Sequence, residues 1–335
     1  MNLSLDKIAK ELGVSKSTVS FALSGQAREK RISEEVENRV KEFCASVNYV
    51  PNIHAQRVNR NHSGNIGFLV KQDIVVDFNN PFDDNNINRI LGGMVSASEK
   101  LGYRVSIQLY TEDMAESRVY NWLRNHEIDG LVYYGLDMPE KWKKTFDEEC
   151  RHIVGIGIEP EGNILSVNID NFEMSAKLTK YLIDSGRRKF MYLSGIDNTF
   201  VSDERKRGFL STLKENGIEF DEEIIINAKF SELIAERMVK ERYKDADALV
   251  CANDGMAIGA LRALKSLNID VPDKVAVAGG DNIFISRYFV PSLTTFDNMQ
   301  NELGVTAAKT LIKMIEGKKA KSVVLNSDIV IREST

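Results

Sequence analysis

Apolar positions in residues 5–23 repeat at the spacing of two short helices. Leu5, Ile8, Ala9 and Leu12 fall at i, i+3, i+4 and i+7, one face of a helix about two turns long. Gly13 breaks that pattern, Ser15 stands where an N-cap belongs, and Val19, Ala22 and Leu23 resume it, leaving Lys16, Ser17, Ser20 and Phe21 pointing elsewhere. A third stripe, Val36, Val40, Phe43 and Val47, follows a cap at Ser33, and Glu34 and Glu35 suit the positive end of that helix's dipole. Ala9 is small enough for two backbones to approach closely. Two helices meeting in this way form a helix-turn-helix, which sets the second helix in the major groove of DNA.

Tyr49, Val50 and Pro51 end this three-helix unit. Asn52 to Arg60, NIHAQRVNR, reads as one or two helical turns capped by Asn52, and NHSGN over 61–65 reads as a connector. From Ile66 the period changes. Short apolar runs (IGFLV, RVSIQLY, GLVYYG, HIVGIGI, KFMYLSG, ALVCAN, VAVAGGD) alternate with amphipathic helices, the signature of parallel α/β sheets, and VVLNSDIVI reads as a final strand. So long an alternation predicts two α/β subdomains side by side, with the carboxyl ends of both sets of strands facing a shared cleft where ligands bind.

Charge divides along the same boundary. Residues 1–60 hold 10 Lys and Arg against 7 Asp and Glu, a net of +3, so the remainder carries −8 of the total of −5. A basic head on an acidic body suits a nucleic-acid reader, and Arg28, Lys30 and Arg31 lie in the loop before the third helix, to touch phosphate or to remain solvated. Cys44, Cys150 and Cys251 are odd in number and far apart, which predicts neither a disulfide framework nor a zinc site and suggests a reducing compartment. The first residues, MNLSLDKIAKEL, lack an apolar leader core, and no run is long enough to span a bilayer, so the expected location is the cytoplasm, at the nucleoid.

Taken together, the chain resembles the LacI family of transcriptional regulators over nearly all its length. LDKIAKELGVSKSTVS is close to that family's N-terminal signature and NYVPNIHAQRV to the stretch ending in its hinge helix. GNIGFLV, NNPF, LGYRVSIQLY, VNIDN, SGRRKFMYLSG, ERKRGF, CANDGMAIGALRALK, VAVAGGDN and PSLTTF then follow in the family's order. The resemblance implies a small all-α helix-turn-helix head on an α/β core of two Rossmann-like parallel-sheet subdomains, like a periplasmic binding protein. On this basis the head occupies 1–50, hinge helix and linker 51–65, and the core 66–335. Crossings near Glu159, Pro291 and Val323 would give an N-subdomain of about 66–159 and 291–322 and a C-subdomain of about 160–290 and 323–335.

The family pattern places DNA contacts on Ser15, Lys16, Ser17, Thr18, Ser20 and Phe21 and on the hinge residues Asn52, Ala55 and Val58. Lys16 suits guanine O6 or N7, Ser17 can bond several bases, and Thr18 and Ser20 suit phosphate. Phe21 stands where relatives often carry Arg, to pack on a thymine methyl or to cover the helix. Val58 stands where relatives wedge a Leu into the minor groove, and is one methylene shorter, a difference of about 0.8 kcal/mol when buried. So short a hinge helix orders only with DNA and its twin, which would let a change of subdomain angle control operator affinity.

In the cleft, the resemblance assigns effector contacts to Arg205, Asp281, Asn253 and Phe230. An Arg and Asp pair suits a polyol or a purine. Each has a structural alternative: Arg205 as a solvated helix residue, Asn253 and Asp281 as caps, Phe230 as core. Two departures from the family alter the pocket wall. The segment between IGFLV and LGGMVSASEKLGY, including DFNN and DDNN, is about nine residues longer than usual. Gly280 also replaces the Tyr that many relatives place before Asp281.

The expected protein is therefore a transcriptional repressor, not an enzyme and without cofactor or metal. It would bind a pseudo-palindromic operator as a homodimer and be switched by a small sugar, polyol or nucleobase-like effector. No GxGxxG follows a strand, no P-loop or HExxH is present, and the four histidines are scattered. A protein co-repressor in place of the small ligand is the alternative within this class, and a solute-binding protein the alternative outside it. No heptad tail follows the last strand, which favours a dimer over a tetramer.

Overall fold

The computed structural model describes residues 4–335 except 24, 26, 50–61, 73–76, 78–79, 112–115, 136–137 and 150–151. It divides into a head, up to Gly64, and a core from Asn65 to Thr335. The head holds α1 (Leu5–Leu12), α2 (Lys16–Leu23) and α3 (Glu34–Ser46). Gly13 ends α1 in the left-handed region at φ 65, as a C-cap glycine does. Ser15 Oγ accepts from the Thr18 N–H at the start of α2, and Ser33 Oγ from the Val36 N–H at the start of α3. The core of the head is Ile8, Ala9, Val19, Ala22, Val40 and Cys44. Cys44 takes the place expected for Val47, which forms the C-cap of α3, because the last turn of that helix ends before Val47 can turn inward.

In the core, the described elements of the first half are β1 (Asn65–Lys71), α4 (Asn85–Lys100), β2 (Arg104–Tyr110), α5 (Glu116–Arg124), β3 (Gly130–Tyr134), α6 (Glu140–Glu149), β4 (Ile153–Ile156) and β5 (Leu165–Ile169). Then come α7 (Asn171–Asp184), β6 (Phe190–Ser194), α8 (Phe200–Glu215), β7 (Ile225–Asn227), α9 (Glu232–Arg242), β8 (Ala248–Cys251), α10 (Asp254–Ser266) and β9 (Ala276–Ala278). The chain closes with β10 (Thr295–Phe296), α11 (Gln300–Ile315), β11 (Val323–Leu325) and β12 (Ile329–Val330).

Two parallel sheets result, in the strand orders β11-β5-β4-β3-β1-β2 and β7-β6-β8-β9. β1, β3, β4, β6, β8 and β9 are buried on both faces, as strands covered by helices on both sides must be, whereas the edge strands β2 and β11 are partly exposed. The expected crossings each come later than placed. β5 pairs with β4, so the chain leaves the first lobe after Ile169 and not near Glu159. β10 pairs with β12 beside the second sheet, moving the return past Pro291 to the residues before α11. Val323 pairs with Val167 in the first sheet, and the segment read as one strand, VVLNSDIVI, is split: β11 belongs to the first lobe, β12 to the second, and Asn326–Asp328 make the third crossing. Asn and Ser interrupt the apolar run there, which is where the pairing changes.

In the first lobe α4 and α11 pack backbone to backbone. A Cβ on Gly93 would lie 2.1 Å from the Asn301 carbonyl oxygen, and one on Gly304 2.0 Å from that of Ile90. This close pairing holds the first turn of α4 and the first residue of α11 beside each other, at the edge of the cleft. Among the described residues no helix is long and apolar enough to cross a membrane, and Cys44 and Cys251 are buried and unpaired.

Candidate functional site

On the head, the exposed start of α2 carries Lys16 and Ser17, with Thr18, Ser20 and Phe21 half-buried beside them. Lys16 Nζ pairs with Asp6 of α1 at 2.8 Å, an exposed contact that a base or phosphate can displace at small cost. Ser15 is occupied as a cap and its hydroxyl also meets that of Thr18 at 2.8 Å. Lys30 Nζ lies 5.4 Å from the centre of the Phe21 ring, so the loop cation and the aromatic replacement for Arg sit together. Arg28 and Arg31 are exposed. Asn52, Ala55 and Val58 lie outside the described residues.

In the core, the carboxyl ends of both sheets converge on one cavity of about 100 Å³. The first lobe contributes Tyr134 at the end of β3, Gly157 after β4 and Asn168 on β5, with Asp84 and Asn86 from the start of α4. The second contributes Phe230 after β7, Asn253 after β8, Asp281 after β9 and Arg205 from α8. Converging strand ends explain why residues so far apart in sequence meet here.

All four residues expected from sequence line this cavity, but Arg205 is neither solvated nor free. It is 3% exposed. Its Nε donates to Asn171 Oδ1 at 2.9 Å, and its terminal nitrogens reach the Ala252 carbonyl oxygen, Asp281 Oδ1 at 3.2 Å and Asn298 Oδ1 at 3.5 Å. The guanidinium also stacks 4.8 Å from the centre of the Phe296 ring. That ring fills the space Gly280 leaves, since a Cβ there would fall 2.3 Å from its Cζ. Burial raises the Asp281 carboxyl above its ordinary range, against the opposing pull of Arg205.

Asn253 is both cap and wall: its Oδ1 accepts from the Met256 N–H at 2.9 Å while its Nδ2 reaches the Phe230 carbonyl at 3.4 Å. Phe230, at φ 59, is held in a conformation uncommon for an aromatic residue and presses its ring onto Gly195. Behind Asp281 lies Asp254, fully buried and raised well above a free carboxyl by burial and then by Asp281. It accepts from the Ile283 N–H at 2.9 Å and the Thr295 hydroxyl at 2.5 Å.

Three residues that sequence reasoning did not single out join the lobes. Asn86 Nδ2 donates to Asp281 Oδ2 at 3.0 Å, and Gln300 Nε2 donates to Asn86 Oδ1 at 2.9 Å and to the Asp281 carbonyl. Asp77, in the long connection after β1, accepts from the Ser231 hydroxyl and, at 2.6 Å, from the Glu232 N–H at the start of α9. The signal for Asn86 and Asp84 was the DDNN segment, noted for its length but not for what its side chains meet.

Comparison with known proteins agrees with both halves. Residues 4–52 match the family model described as bacterial regulatory proteins, lacI family, and 179–335 match a periplasmic binding protein-like domain. The transcriptional regulator CelR of Thermobifida fusca is 26% identical over 98% of this chain and 97% of its own. The transcriptional repressor PurR of Vibrio parahaemolyticus is 29% identical over the same shares, 98% and 97%. Among solved structures, the lac repressor dimer bound to operator and the anti-inducer ONPF superposes with a TM-score of 0.84 at 22% identity, covering 100% of this chain and 99% of that one. A CelR–cellobiose complex gives 0.74 at 24%, covering 99% and 100%.

Proposed function

We propose that the chain is a LacI-family regulator, a cytoplasmic repressor whose grip on a pseudo-palindromic operator is set by a small polar molecule in the interlobe cavity. The observation that carries this reading is that the cavity wall includes the bond from Asn86 of one lobe to Asp281 of the other. A cavity of about 150 Å³ accommodates benzene, and this one, at about 100 Å³, is smaller than a sugar or purine ring requires. An effector of that size therefore enters only by moving the lobes apart. Binding and lobe angle are then one event, which is what coupling to DNA affinity needs.

In this reading Lys16 and Ser17 meet base edges, Ser15, Thr18 and Ser20 meet the backbone, and Phe21 with Lys30 covers the flank. Asn52, Ala55 and Val58 keep the minor-groove role that the family pattern gives them. Two copies are needed for a two-fold operator. Phe284, Ile285, Tyr288 and Val290 supply a self-complementary surface: they are 57%, 48%, 61% and 85% exposed, side by side on one short segment of the second lobe.

Selection from random duplexes followed by binding titrations at several salt concentrations tests this. A palindromic site should be enriched and its affinity should fall steeply with salt, less steeply for Lys16→Ala. Tyr288→Glu should sediment as a monomer and bind that site at least tenfold more weakly. Failure to enrich any sequence, or affinity independent of salt, contradicts the reading.

A further inference from the structure

Most polar groups around the cavity are already spent on the protein. Asn168 accepts from the Gly157 N–H at 2.8 Å and donates to the Ile158 carbonyl at 2.8 Å. Asn171 accepts from Arg205, Asn253 caps α10, and Asn86 is bonded at both its oxygen and its nitrogen. Arg205 spends its charge on Asp281. Asp84 differs. Its carboxylate accepts only backbone N–H groups, from Ile87 at 3.0 Å and from Asn86, and among the described residues no cation pairs with it. Tyr134, half-buried on the same wall, has no hydrogen-bond partner for its hydroxyl among the described residues.

The ionisable side chains of the wall are thus two carboxylates, Asp84 and Asp281, one guanidinium and one phenol. They leave one negative charge without a partner. A half-buried, unpaired ion in a cavity wall carries a desolvation cost, and a ligand that brings the opposite charge offsets it. A hydroxyl donates a hydrogen bond to Asp84 but leaves its charge standing; an ammonium group does both.

We infer that the pocket selects a compact polyol bearing a protonated amine, with Asp84 receiving the ammonium group and the Tyr134 hydroxyl accepting beside it. This rests on the cavity being the effector site. It names Asp84 as the residue that sets specificity, on the first-lobe side of a pocket whose better-known contacts lie in the second. An aspartate was not needed for the helix alone, because Asn caps α-helices as well without a charge.

The test compares glucosamine, galactosamine and mannosamine with glucose, galactose and mannose by calorimetric titration of the full chain at pH 7. At least one amino sugar should bind tenfold or more tightly than its parent. Asp84→Asn, which keeps an oxygen for the Ile87 N–H, should bring that ratio close to one while the circular dichroism spectrum stays unchanged. Lowering the pH to 5 should do the same in the unaltered protein. Asp84 takes up a proton there, its carboxyl being pushed up to about 6 by burial and by Asp281, with Tyr134 the other ionisable group that faces it and Arg205 elsewhere on the same wall. Parent sugars that bind as tightly as their amines, no binding of any of the three amines, or a preference that survives Asp84→Asn overturns the inference. A neutral sugar that binds more tightly than every amine and loses that binding in Asn253→Ala overturns it too, yet leaves the cavity as the effector site.

Discussion

Asp84 serves as a helix cap and as a half-buried charge, and the two roles act oppositely on stability. Its hydrogen bond to Ile87 favours the ionised form, while burial and Asp281 outweigh that and raise its carboxyl to about 6. A carboxyl whose folded value lies above its unfolded one, ~3.9, holds its proton more tightly in the folded state. The resulting stabilisation is complete below pH ~4 and is lost as the pH rises through about 6. At pH 7.5 the ionised group therefore costs the ligand-free protein on the order of 2 kcal/mol. Urea denaturation should find Asp84→Asn more stable than the unaltered chain by about that amount at pH 7.5 and little different at pH ~3.5. An equal difference at both pH values would show that the charge is not the cause. The sequence displayed this residue within DDNN but could not show its environment, because the carboxylate facing it comes from the other lobe, after β9. Gly280 is similar. Its departure from the family pattern was visible, whereas the Phe296 ring that fills the space and supports Arg205 was not.

Helices and strands were legible wherever one period ran unbroken. The three helices of the head follow their apolar stripes and caps closely, and each strand named from its apolar run, apart from VVLNSDIVI, is present in one of the two sheets. The lobe crossings were less legible, since a strand's partner is not written in its own residues. β11 and β12 lie within one apolar run and yet join different lobes. Asp77 shows the same limit, because nothing in DFNN announces that its carboxylate reaches α9. There it adds a negative charge to the positive end of a helix already capped by Ser231, whose Oγ accepts from the Ile234 N–H at 3.0 Å. Asp77→Ala should therefore lower stability by about 1 kcal/mol. Because the contact also ties the lobes, the ligand-free variant should show a larger radius of gyration in solution scattering. An unchanged radius would limit Asp77 to capping.

At the scale of the molecule, the family's ordered motifs carried the reading from a DNA-binding head to a ligand-sensing body, and the structure supplies the physical link within that body. The lobes are held by a few polar contacts, Asn86 to Asp281, Gln300 to both, and Asp77 to α9, set around a cavity too small for a sugar ring. Contacts of this kind, each worth about 1 kcal/mol net, can be exchanged for contacts to a ligand. The identity of that ligand depends on side chains brought together from distant segments, so no local motif encodes it. The central claim is that filling the cavity changes the grip of the head on DNA. Fluorescence anisotropy on the selected operator, with and without a saturating ligand found by calorimetry, tests it most directly. The operator Kd should change tenfold or more, in either direction, and the change should disappear when Asn253→Ala abolishes ligand binding. A ligand that occupies the cavity and leaves the operator Kd unchanged would contradict the claim.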